Sequence, residues 1–202
     1  MVAIRIRRGL LGAVAKWASP THPQLSTVVF RGNKMFATDG HRMVIVPTTF
    51  SSKALFGVSR SDIFAAVAAQ EALAKEFPSE RIESISIAWD PPNDKSEGKV
   101  EFHLRPGGGV MTVSARGLSK YPDVETAFKA FPRDGTQSPV GYLIDVAYLS
   151  AVTEVVEQNL EPLRAVRVTG CGAKFGDLGE RPPLLLESGG GISFSIMPLR
   201  DL

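Results

Sequence analysis

The chain is poor in the residue types that announce chemistry. It holds one cysteine, Cys171, and three histidines, His22, His41 and His103, in 202 residues. A single cysteine excludes an internal disulfide and suits a reducing, cytoplasmic setting. The histidines have no metal-ligand spacing with one another or with Cys171, so neither a metal nor a cofactor is expected. No sign of charge dominates: 23 Lys and Arg stand against 21 Asp and Glu, for a net charge of +2. Composition alone therefore does not announce a nucleic-acid binder. No apolar run approaches the ~20 residues of a membrane span. Arg5 to Arg8 followed by Leu10 to Ala15 imitates the start of a secretory signal, but Lys16 and Trp17 cut it short. The glycine runs 107–109 and 189–191 lack the Lys-Ser/Thr and the helix that follow a phosphate loop. Ser19-Pro20 and Ser188-Gly189 are not nucleophile elbows, and Asp39 and Asp123 read as turn formers. No enzyme is expected.

What the chain does have is an ordinary globular share of apolar residues, 44%, and one unit used three times. Each unit opens with a short strand: Ala3–Arg7, Leu55–Ser59 and Val140–Ile144. Apolar residues two apart (Ile4/Ile6, Phe56/Val58, Tyr142/Ile144) mark one face of each. A helix follows at once. Leu10, Leu11, Val14 and Ala18 stripe the first, over residues 7–18, and Ile63, Phe64, Val67 and Ala68 the second, over 59–77. Val146, Leu149, Val152, Val156 and Leu160 stripe the third, over 144–158. Ser61 and Asp145 are the expected caps of the second and third. Three strands then close each unit: Thr27–Phe30, Lys34–Thr38 and Arg42–Val46; Ser84–Trp89, Lys99–Leu104 and Val110–Ala115; Ala165–Thr169, Leu184–Glu187 and Ile192–Met197. The fold class is α+β, built from β-α-β-β-β half-domains with mostly antiparallel sheets.

Three segments in order carry a resemblance. Ala37-Thr38-Asp39-Gly40-His41-Arg42, then Tyr121-Pro122-Asp123, then Met197-Pro198-Leu199-Arg200 resemble motifs of the bacterial DNA polymerase III β subunit, the replicative sliding clamp. The resemblance implies a clamp-like domain over 1–117, similar to the family's middle domain. A junction over 118–136 follows, then a half-domain over 137–202 similar to the second half of its last domain, so that the whole resembles a shortened clamp. It implies a processivity factor that encircles duplex DNA without reading sequence and binds peptides of polymerases, clamp loaders and repair proteins. The alternative is a clamp-like module that competes for those peptides without encircling DNA. The implied peptide pocket comprises Thr38, Gly40, His41, Arg42, Met43, Pro122, Met197, Pro198, Leu199 and Arg200, with Met supplying adaptable apolar contact and Arg and His a polar rim. Thr126 and Glu125 stand where the family has a basic residue, and Asp201 and Leu202 trail the terminal motif.

The family's channel helices put Arg7, Arg8, Lys16 and Arg60 forward as phosphate contacts. Only the first helix is basic; the third carries Asp145, Glu154 and Glu157 and no base. The odd count of units leaves the third without a partner. Its stripe of Val146, Leu149, Val152 and Val156 is therefore the expected interface of a homo-oligomer, a two-fold dimer or a ring of four chains; the alternative is a monomer whose third unit packs onto the first domain of its own chain.

Overall fold

The computed structural model describes residues 2–49, 55–80, 83–91, 98–116, 118, 121–123, 146–159, 166–171 and 184–197. The expected strand 140–144, the Asp145 cap, most of the junction and residues 198–202 lie outside them. The first unit runs β1 (Val2–Arg7), α1 (Arg8–Ala15), β2 (Thr27–Arg31), β3 (Lys34–Thr38) and β4 (Arg42–Pro47). The second runs β5 (Leu55–Ser59), α2 (Arg60–Glu76), β6 (Ser84–Asp90), β7 (Lys99–His103) and β8 (Val110–Ser114). The third supplies α3 (Val146–Gln158), β9 (Val166–Cys171), β10 (Leu184–Ser188) and β11 (Ser193–Ile196).

The units interlock by exchanging their opening strands. β1 pairs with β6 to give a four-stranded sheet β1-β6-β7-β8, and β5 pairs with β2 in the other sheet. That second sheet has seven strands in the order β5-β2-β3-β4-β11-β10-β9, antiparallel throughout. The join is β4 to β11, with Met43 opposite Ser195 and Arg42 opposite Ile196. The third unit therefore continues the first unit's sheet within one chain.

This corrects the expectation that the third unit has no partner of its own. Its helix packs against α1. Val152 and Val156 are 4% and 3% exposed, and Val155 is fully buried beside them in the main core. Val146 and Leu149, at 77% and 43% exposure, do face outward. Val152 and Val156 are thus already covered and cannot present the patch expected of an oligomer interface. At the α1–α3 crossing, a Cβ on Gly9 would collide with the Gln158 side chain, so the glycine permits the close approach.

Local chemistry explains the helix starts. α2 begins at Ser59, not Ser61: the Ser59 hydroxyl accepts from the Asp62 amide at 3.1 Å and donates to the Asp62 carboxylate at 2.5 Å. α1 has no side-chain cap; its Arg8 amide donates instead to the Glu83 carbonyl at 2.9 Å, across from β1. Gln70, fully buried on α2, is satisfied by the Arg105 backbone, donating to its carbonyl and accepting from its amide.

Candidate functional site

The Thr38–Arg42 turn is built by its own side chains. Gly40 sits at φ 97°, the left-handed region that glycine adopts without strain. The Thr38 hydroxyl donates to the Arg42 carbonyl at 2.8 Å and accepts from the Gly40 amide at 3.1 Å. One Asp39 carboxylate oxygen accepts from the His41 and Arg42 amides, at 2.9 and 3.0 Å, and the other from Arg42 Nε at 2.9 Å. The turn's backbone amides and the Thr38 and Asp39 side chains are thereby tied down, and His41 is exposed at the tip.

Arg42 corrects its expected role as a rim group. Its guanidinium lies 5.0 Å from the Trp17 ring and 4.9 Å from the Tyr148 ring, and it donates to the Lys16 carbonyl at 2.9 Å. One side chain thus ties the β3–β4 turn to the end of α1 and to α3, through charge-assisted hydrogen bonds and cation–π contact. Trp17 in turn packs on Phe194 of β11, ring centroids 5.4 Å apart.

The β4–β11 pairing brings the two distant motifs together. The Met197 amide donates to the His41 carbonyl at 2.8 Å. Alternation along the paired strands places Met43 and Met197 on the sheet face opposite the helices. On that outer face Val29, Phe36, Met43, Ile45 and Leu185 form a second apolar cluster, with Leu118 and Tyr121 packed against it. Met197 lies exposed at its margin. Pro122 is exposed beside Tyr121, and Asp123 pairs with Arg31 at 3.6 Å. Pro198, Leu199 and Arg200 are outside the described residues.

Phe36 and Leu185 are missed by reading motifs alone, and Tyr121, though part of a motif, was not among the expected pocket residues. Tyr121 packs on Phe36 with ring centroids 6.0 Å apart. Its hydroxyl is buried near the Thr38 backbone, without a well-aligned hydrogen bond to any described residue. Burial pushes its pKa well above the ordinary phenol value, an effect only partly offset by the Thr38 backbone. The signal for Phe36 and Leu185 was present: strands β3 and β10 are apolar at consecutive positions, which marks burial on both faces.

Of the four expected phosphate contacts, Arg7 and Lys16 are engaged by α3, whereas Arg8 Nη1 and Arg60 Nε are buried without a hydrogen-bond partner among the described residues. Lys16 Nζ pairs with Glu154 at 2.6 Å, and Arg7 donates to the Gln158 carbonyl at 3.1 Å. Arg60 lies 5.1 Å over the Phe64 ring. Arg7 and Arg8 line a cavity of about 380 Å³ with Gly9, Glu71, Glu83 and Gln158. Among the described residues, no three His, Cys, Asp or Glu side chains gather to hold a metal. No helix there is long and apolar enough to cross a membrane.

No protein-family model matches the sequence, and no curated protein does. Solved structures do. The DNA polymerase III β subunit of Thermotoga maritima aligns over 100% of this chain and 65% of its own, with a TM-score of 0.64 at 11% identity. The sliding clamp of Bartonella birtlesii, bound to griselimycin, aligns over 99% of this chain and 66% of its own, at 0.59 and 15%. That of Pseudomonas aeruginosa, also with ligand, covers the same shares at 0.57 and 14%. The chain has the sliding-clamp fold. It spans about two thirds of the length of these clamps, and the clamp fold's helices and antiparallel sheets account for the layers described above.

Proposed function

We propose that this chain is a clamp-like, non-enzymatic scaffold that supports DNA polymerase processivity by encircling duplex DNA and holding partner peptides. The observation that carries the peptide half is the 2.8 Å bond from Met197 to His41, which sets two distant motifs side by side at the margin of an apolar outer-face cluster. Apolar anchors of a short peptide suit such a surface, with Met43 and Met197 adapting to their shapes and His41 at the rim. The presence of griselimycin on the Bartonella clamp supports a ligand-accepting surface in this fold.

Met197 is half-exposed and outside the main core, so Met197→Lys tests the site without a folding penalty. Its substitution is expected to weaken binding of griselimycin or of a hydrophobic clamp-binding peptide by about tenfold or more, the worth of one well-buried apolar side chain. Unchanged affinity would overturn the assignment of the site.

The second reading is a peptide-binding module that competes for clamp partners without encircling DNA. One observation favours it: Arg7 and Lys16, the basic residues that flank α1, are committed to α3 through Gln158 and Glu154. Retention on nicked circular DNA with loss from linear DNA supports encirclement, because only a ring escapes through free ends. Equal failure to be retained on both favours the module.

A further inference from the structure

The outer-face cluster is already closed, and one side chain does most of the closing. Two rows of paired residues run across that face. Val29, Phe36 and Ile45 stand opposite one another in the first, and Thr38, Met43 and Ser195 in the second. None of the six is more than 8% exposed. A bulky side chain of a partner peptide reaches such a surface only when something moves aside.

The rows cannot move singly, because they belong to strands β2, β3, β4 and β11, hydrogen-bonded side by side. The cover is built differently. Leu118 and Tyr121 follow β8, lie outside any strand and pack onto the face. The Tyr121 amide donates to the Leu118 carbonyl at 3.0 Å. That bond holds the main chain of the turn and leaves the tyrosine side chain its own rotamers.

In the closed form this side chain lies along β3. Its ring packs on Phe36, centroids 6.0 Å apart, and its hydroxyl comes to the Thr38 backbone. The ring suits the place; the hydroxyl does not. It is buried without a well-aligned hydrogen bond, and a phenol so placed gains by returning to water. We propose that Tyr121 is the lid of the partner site: its ring holds the place of a bulky apolar side chain of the peptide and swings into water when that side chain arrives. A phenylalanine or leucine anchor would then cover Phe36 without burying a hydroxyl, so the exchange favours the peptide. Between partners the lid keeps an apolar patch from solvent. The proposal rests on the peptide-binding reading of this face.

Titration of the full chain with a hydrophobic clamp-binding peptide at neutral pH tests it. Tyr121→Ala removes the place-holder and is expected to tighten binding about three- to tenfold. Tyr121→Phe keeps the ring but loses the hydroxyl that favours opening, and is expected to weaken binding by a similar factor. In carbon NMR of the tyrosine rings, the signal absent from Tyr121→Phe identifies Tyr121 in the unmodified protein. That signal is expected to move from a buried to a solvent-exposed position as the peptide saturates, a readout that does not depend on how well the alanine variant folds. A tyrosine that merely walls the site behaves in the opposite way. Weaker binding in Tyr121→Ala, no change in Tyr121→Phe and a ring that stays buried would overturn the lid and leave the site standing. Binding by Tyr121→Ala alone would support the lid in its strongest form. Absence of binding in the unmodified protein and in both variants would overturn the peptide-binding reading and the lid with it.

Discussion

The two sheets share a repeated strand pattern but are covered differently, and the difference locates the site. Residues 35–38 of β3 and 43–46 of β4 are buried without interruption, whereas the exposure of β7 and β8 alternates. β3 and β7 are the second sheet strands of their units, and both begin with lysine. Two residues on, β3 has Phe36, 3% exposed under Tyr121, where β7 has Glu101 beside His103 at 3.4 Å. One sheet has a dry outer face closed by the junction residues Leu118 and Tyr121. The other faces water. The proposed partner peptide would meet an apolar surface on the seven-stranded sheet, at the margin where Met197 emerges.

The contrast can be broken residue by residue. Phe36→Ala is expected to cost about 3–5 kcal/mol of unfolding free energy, as for a buried aromatic truncated in a core. Arg42→Ala should follow at about 2–3 kcal/mol, since it removes charge-assisted bonds to Asp39 and the Lys16 carbonyl and uncouples the turn from α3. Glu101→Ala, at the position matching Phe36, is expected to stay within about 0.5 kcal/mol. Denaturant titrations measure all three. Equal losses at Phe36 and Glu101 would erase the distinction between the sheets.

Tyr121 sharpens the comparison through pH. Its phenol is held neutral by burial, with a folded pKa above that of the unfolded chain. Its contribution is therefore complete below the ordinary phenol pKa of about 10 and is lost as pH rises beyond it, because only the unfolded state then releases the proton. Tyr121→Phe should remove that part of the alkaline slope. At neutral pH it should leave stability unchanged or slightly raised, since the lost hydroxyl has no well-aligned partner among the described residues. Titrations of both proteins from neutral to alkaline pH check this.

Much of the layout was legible because strands and helices announce themselves by local period. The range Lys34–Thr38 agrees at both ends with β3, and the Asp39-Gly40 turn follows from residues that make turns anywhere. The resemblance set Arg42 and Met43 in one pocket with Met197, but the direct pairing of β4 with β11 was not legible from local period. Alternation tells which face a residue occupies but not which strand lies beside it, so the third unit looked unpartnered and Val152 and Val156 looked exposed. The contacts of Arg42 were not legible for the same reason: nothing near it in sequence predicts the Trp17 and Tyr148 rings within about 5 Å of its guanidinium. The cap at Ser59 was missed by two residues, because serines at 59 and 61 both precede an apolar stripe and only the bond to Asp62 chooses between them.

The most direct test of the central claim is hydrogen exchange with and without a hydrophobic clamp-binding peptide. The account predicts slowed exchange at residues 38–43, 121, 185 and 195–197, with β6, β7 and β8 unchanged. Slowing confined to the four-stranded sheet or to the helices, with residues 38–43 and 195–197 unaffected at saturation, would contradict it.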